Sequence, residues 1–155
     1  MHAVLFNVFS GLPEAYWDFA KNPQYGPVAK EARAWEMQQK KVINEFMDQA
    51  KQRLIHSGFP HGEITVKVQN RKQGIARDII REAEEGYGAV VIGRKGMGTY
   101  KEIVVGSVTH KIVEKASFLP VLMIGQIPPD ENILVPIDSS EGAMRAVEYV
   151  AATLG

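Results

Sequence analysis

The sequence predicts an α/β fold: a three-layer sandwich with a mostly parallel sheet between two layers of helices. Three observations predict it. Short apolar runs bounded by glycine or proline alternate with longer amphipathic stretches. Two of those runs, AVVIG at 89–93 and PVLMIG at 120–125, are apolar throughout, as in strands covered on both faces. A glycine-rich segment follows the first of them directly, where α/β sheets hold ligands.

The elements follow in order. AVLFNVF at 3–9 reads as a buried strand stopped by Ser10-Gly11. Residues 10–27 carry Gly, Pro, Asn and four aromatics (Tyr16, Trp17, Phe19, Tyr25) and read as a long loop, or a loop with a short helical turn. Residues 28–57 predict a long helix with Val42, Ile43, Phe46, Met47, Ala50, Leu54 and Ile55 facing inward. HSGFPHG ends it, and EITVKVQ at 63–69 alternates like a strand. QGIARDIIREAEEGYG supplies a second amphipathic helix, with Ile75, Ile79, Ile80 and Ala83 inward. After strand 89–93 and the glycines comes a helix over about 107–115, then strand 120–125. QIPPDE at 126–131 is a polar linker, NILVPID at 132–138 a strand, and EGAMRAVEYVAATL a last helix.

Composition bounds the function. Eighteen basic and eighteen acidic residues leave no net charge, so nothing points to nucleic acid as a partner. No cysteine means no disulfide framework, thiolate nucleophile or thiolate metal site. No window approaches the twenty apolar residues of a membrane span, and a cytoplasmic location is expected. His110 reads as a structural helix residue, and the methionines as core filler.

The chemistry sits in GRKGMGTYKEIVVGSV, residues 93–108. Gly93 and Gly96 fall at the carboxyl end of a strand, where glycine lets backbone N–H groups approach an anion. Gly106-Ser107 opens a helix, whose unpaired N–H groups favour phosphate. Ser107 and Thr109 could add hydroxyls. The glycines could also be turn punctuation alone. There is no G-x-x-x-x-G-K-[ST] phosphate loop in the chain.

The spacing Gly93-x-x-Gly96, nine residues, then Gly106-Ser107 resembles the universal stress protein family, whose ATP-binding members carry G-x-x-G-x9-G-[ST] here. The likeness extends to PVLMIG as the family's last strand and to NILVPIDSSEGAMRAVEYV as its first strand and helix. It is weakest over residues 10–35. It implies an adenine nucleotide alpha hydrolase-like fold, a five-stranded sheet in which the family's first strand is central. It also implies ATP, with or without magnesium. Val8 would read the adenine edge through its backbone. Pro136, Asp138 and Ser139 would line the adenine and ribose. Gly93 and Gly96 would approach ribose and phosphates, and Gly106, Ser107, Val108 and Thr109 would form the phosphate turn; Arg94 and Lys95, the variable pair between the glycines, could neutralise phosphate or simply face water. Asp138 could equally be a helix cap, since Asp138-Ser-Ser-Glu141 has capping-box spacing.

The order is unusual. The family's first strand–helix unit stands last here, giving a core over 1–125, a linker over 126–131 and the displaced unit over 132–155. The linker is too short to return this strand to a central place in its own sheet. The expected assembly is therefore a homodimer, joined at the last edge strand, in which each chain donates its C-terminal unit to the other. A piece cut from a tandem protein would give the same order. The functional expectation is an ATP-dependent regulator or sensor in stress adaptation with an unidentified protein partner. Two alternatives stay open: a slow ATPase or autophosphorylating enzyme with Ser107 or Thr109 as acceptor, and a dimer module with an empty site. No catalytic residue is assigned.

Overall fold

The structure is a computed structural model and describes residues 1–19, 21–94, 105–125, 132–138 and 140–153. The expectations placed on Gly96, Ser139 and the linker 126–131 lie outside these residues. The chain divides into two units, Met1–Gly125 and Gln126–Gly155.

In the first unit the order is β1 (Ala3–Phe9), α1 (Glu14–Phe19), α2 (Gly26–His56), β2 (Ile64–Asn70), α3 (Ile75–Ala83), β3 (Val90–Gly93), α4 (Ser107–Lys115) and β4 (Val121–Ile124). β1 pairs with β2 in parallel, Ala3 opposite Ile64 through Phe9 opposite Asn70. β3 pairs with β4 in parallel, Val90 opposite Val121 through Gly93 opposite Ile124. The expected parallel α/β arrangement is present, but as two separate pairs: among the described residues no ladder joins β1 to β3. The single five-stranded sheet expected from the sequence is thus not formed within one chain. Its fifth member, 132–138, is not a strand here.

Side-chain alternation shows how the layers are built. Lys40 of α2 lies over the Phe9 ring, so the odd residues of β1 face α2. Val4 and Phe6 share a cavity with Ile79 and Ala83, so the even residues face α3. The helices therefore cover opposite faces of the β1–β2 pair. The core lies where α3 crosses α4: Ala76, Ile112 and Ala116 are buried, with Ile79, Ile80, Ile92 and Val121 packed around them. Alanine at positions 76 and 116 lets the two backbones approach, and Ile112, 1% exposed, fills the space between.

Two sequence expectations change in detail. On α3 it is Ala76 that is buried, while Ile75 stands at the rim. On α2 Met47 is buried and Ile43 is half-buried, but Val42 and Phe46 are exposed. Positions 42/43 and 46/47 lie ~100° apart on a helix, so a face one strand pair wide covers only one member of each. The segment read mainly as loop contains α1, where Trp17 meets Tyr16 edge-on and the Arg33 guanidinium stacks on Trp17 at 5.7 Å.

The β2–α3 connection is held by a clasp. Gly74 has φ +136°, a backbone conformation open to glycine, and opens α3. This lets buried Asp78 accept the N–H groups of Lys72 (2.7 Å) and Gln73 (3.0 Å). Burial works to raise the Asp78 pKa, but those bonds, a third from the Gly74 backbone and the Lys72 charge outweigh it and leave the carboxyl below its ordinary value.

A second polar cluster ties α3 to its surroundings. Glu82 accepts from Lys67 Nζ at 2.6 Å and from the Tyr87 hydroxyl at 2.7 Å. Burial and the Glu82 acceptor, with Glu85 nearby, push Tyr87 up to about 12. The unfolded chain ionises this phenol near pH ~10. Below that pH both states keep the proton and the stability is intact; it is lost as pH rises from about 10 to about 12. We expect a near-ultraviolet titration of the five tyrosines to show one late ionisation, absent in Tyr87→Phe. A titration in which all five tyrosines of the wild type ionise together, with none late, would remove the Glu82–Tyr87 contact from solution.

In the second unit, residues 132–138 form no regular element, and α5 covers Glu141–Thr153. Ser140 caps α5, its hydroxyl accepting the Ala143 N–H at 3.2 Å. Asp138 forms the turn before it, accepting the Ser140 N–H at 2.8 Å. The cap is therefore Ser140 and not Asp138.

Candidate functional site

The site residues of the first unit gather at the carboxyl end of β3. The Arg94 N–H donates to Ile124 O at 2.8 Å, extending the β3–β4 ladder by one bond. Gly106 N–H donates to Arg94 O at 2.9 Å. The base of the 93–106 segment is therefore closed, with Gly93 and Arg94 beside the start of α4. Arg94 also lies over Gly125, its Nε 3.5 Å from where a β-carbon would stand.

Gly106 is the N-cap of α4 in extended conformation, φ −66° and ψ 148°, and buried. The His110 N–H closes the first turn on Gly106 O at 2.9 Å. That leaves the N–H groups of Ser107, Val108 and Thr109 without intrahelical acceptors, and no side chain caps them among the described residues. Three such donors at the positive end of a helix dipole are groups with which an anion can pair.

The two hydroxyls in this turn differ. Ser107 is exposed. Thr109 is 6% exposed, and its hydroxyl donates to Gly93 O at 2.8 Å. Its proton is committed to the protein, so Thr109 can offer a ligand its backbone N–H only. The sequence could rank both hydroxyls as donors; the direction of this hydrogen bond is set by the fold. Its consequence is that α4 is pinned to the end of β3.

Val8 is buried near the end of β1. Because Arg71 N–H donates to Phe9 O, the peptide groups of odd β1 residues point to β2. Those of Val8 point the other way, free of the ladder. In the second unit, Asp138 and Pro136 are exposed. The Asp138 carboxyl is held below its ordinary range by hydrogen bonds from the Ser140 side chain and backbone. The structure thus brings Gly93, Arg94, Gly106, Ser107, Val108 and Thr109 together, and places Val8 at the end of the neighbouring strand pair.

Parallel strand pairs, covering helices and a helix start beside a strand's carboxyl end define a parallel α/β protein. The sequence pattern of the Universal stress protein family matches residues 18–125, and the chain belongs to that family. It is accordingly a stress-related protein of that type. Among solved structures it is similar to hypothetical protein MJ0577, described as a test case of structural genomics for the structure-based assignment of biochemical function. The TM-score is 0.58 at 22% identity, over 82% of this chain and 77% of that one, which supports the shared fold. No curated protein matches. No helix among the described residues is long and apolar enough to cross a membrane.

Proposed function

We propose that the protein is an ATP-binding regulator or sensor, in which the turn at the start of α4 holds the phosphates. The observation that carries this reading is the closed base of the glycine segment. Gly106 N–H on Arg94 O sets three free helix-end donors beside the carboxyl end of β3. The spacing Gly93-x-x-Gly96-x9-Gly106-Ser107 supplies the link to ATP rather than to anions in general. In this reading the backbone of Val8 meets the adenine edge, Arg94 balances phosphate charge, and Gly96 lets the segment lie close to the ligand. Pro136, Asp138 and Ser139 complete the ribose side from the C-terminal unit of a second copy. Occupancy would change a surface read by a protein partner. The burial and commitment of the Thr109 hydroxyl count against it as a phosphoacceptor, leaving exposed Ser107 for any slow transfer.

Isothermal titration with ATP, with and without magnesium, tests the reading. The expected result is saturable heat with a micromolar Kd, weakened strongly when the triphosphate is replaced by adenosine. No heat up to millimolar ATP would sink it.

A further inference from the structure

Between α3 and α4 runs an open groove of about 450 Å³, lined by residues that all lie between Arg71 and Lys115. Two facing stripes build it. On α3 the stripe is Ala76, Arg77 and Ile80; on α4 it is Val108, Lys111 and Lys115. Such spacings keep side chains on one side of a helix. Ile79 of α3 lines the cavity beside Val4 and Phe6 of β1, so the Ala76–Ile80 stripe is turned from the sheet towards α4. Arg77, Lys111 and Lys115 are exposed, which places the groove on the solvent side of the helix layer.

The floor is apolar. Ala76 is buried, and Ile80 and Val108 are half-buried against the core around Ile112. The rims are basic, with Arg71 and Arg77 on one side and Lys111 and Lys115 on the other, and Glu114 is the one carboxylate among the lining residues. The whole chain carries no net charge, so this surplus is local. It also differs from the charges on other helices. On α2 and α5, Lys40 pairs with Glu36, Lys41 with Glu45 and Arg145 with Glu141. Of the four groove cations, only Lys115 reaches a carboxylate among the described residues, that of its neighbour Glu114 at 4.0 Å. Like charges gathered at one concave surface repel one another, and an anionic ligand relieves that repulsion.

We propose that this groove docks a short acidic segment of a partner protein, with an aliphatic residue between its carboxylates. Lys111 and Lys115 stand about one turn apart, ~6 Å along α4. Alternate residues of an extended segment repeat at nearly the same interval, ~7 Å, so two carboxylates on one side of it meet the two lysines. The residue between them turns the other way, towards Ile80, where an aliphatic side chain is covered. From Ser107 to Lys115 the groove is ~12 Å long, the length of about four extended residues.

Other polyanions fit the groove less well. No aromatic side chain lines it for base stacking, and Glu114 interrupts its charge, which disfavours nucleic acid. A lipid headgroup layer is flat and does not reach Ala76 or Ile80 at the floor of a concave surface. The groove extends the regulator reading by naming the surface a partner uses, but peptide binding rests on the groove alone and needs no nucleotide.

Fluorescence anisotropy on the full chain without nucleotide tests it, at ~0.15 M salt, where long-range attraction is screened. The probe is a labelled octapeptide of alternating Glu and Leu, and the comparison is the same peptide with Gln for Glu. The expected result is saturable binding with Kd ~100 μM or below, and about fivefold or more weaker for the Gln peptide. Lys111→Glu should weaken the Glu–Leu peptide about tenfold or more, while the same reversal on α2, Lys41→Glu, should change it less than about twofold. Both positions are exposed, and circular dichroism checks that both variants keep their helices. Should Lys111→Glu lose its helical signal, Arg77→Glu on the opposite rim takes its place. No saturation up to millimolar peptide, equal binding of the Gln peptide, or equal loss in Lys41→Glu each overturn the proposal. Tighter, Lys111-dependent binding of oligodeoxythymidine or of phosphatidylglycerol vesicles also overturns it, in favour of nucleic acid or a lipid surface. Because no ATP is present, this result and that of the ATP titration can each fail without the other.

Discussion

Ile112→Ala is expected to cost about 3 kcal/mol or more, within the ~2–5 kcal/mol range for emptying a buried aliphatic site. Ile112 is the most buried large side chain among the described residues, 1% exposed. It sits where α3 and α4 cross, beside Ala76 and Ala116. Those alanines have no side chain to lean into a void, and both lie in or against regular helix, so the site collapses poorly. The loss is a large share of the ~5–15 kcal/mol that holds an ordinary domain. Val113→Ala on the same helix is the control: Val113 is 52% exposed, and its truncation should stay within about 0.5 kcal/mol. Urea unfolding followed by circular dichroism reads both. Equal midpoints for the two variants would mean that the α3–α4 crossing is not the core.

That core is legible in the sequence only in part. The pattern marks β1 and α4 to the residue because each is bounded by a breaker, Ser10-Gly11 after one and Gly106 before the other. Ala76 escapes it because alanine carries little pattern signal beside Ile75, although only a small side chain fits a close helix crossing. On α2 two overlapping apolar stripes satisfy the same periodicity, and only the width of the sheet beneath chooses Met47 over Phe46. NILVPID reads as a strand on composition, yet a strand exists only where an edge accepts it, and no pattern in the chain says whose edge that is.

The candidate site divides in the same way. Spacing is local in sequence, so it suffices to group the glycines at 93 and 106 with the helix start at Ser107. What the spacing cannot carry is how a polar atom spends its proton. Asp138 looks like a cap from its distance to Glu141, but Ser140 takes the Ala143 N–H and Asp138 takes the turn. Thr109 looks like a ligand from its place in the motif, but its hydroxyl belongs to Gly93.

Thr109→Val should therefore do more damage than Ser107→Ala, although Ser107 is the exposed hydroxyl. Valine keeps the shape and removes the donor of a part-buried hydrogen bond to Gly93 O, a loss of about 0.5–1.5 kcal/mol in stability. The bond also sets how the start of α4 sits against the end of β3. Without it, the free N–H groups of Ser107, Val108 and Thr109 lose their fixed relation to Gly93, and a ligand must restore that order as it binds. On the ATP reading, affinity should fall about tenfold or more, equivalent to ~1.4 kcal/mol. Thr109→Ser keeps the hydroxyl and should recover most of it, which marks Thr109 as a positioning residue. Titration calorimetry on Thr109→Val, Thr109→Ser and Ser107→Ala, with thermal melts alongside, separates the cases. If Thr109→Val melts early but binds ATP like the wild type, the Thr109–Gly93 bond serves the fold alone.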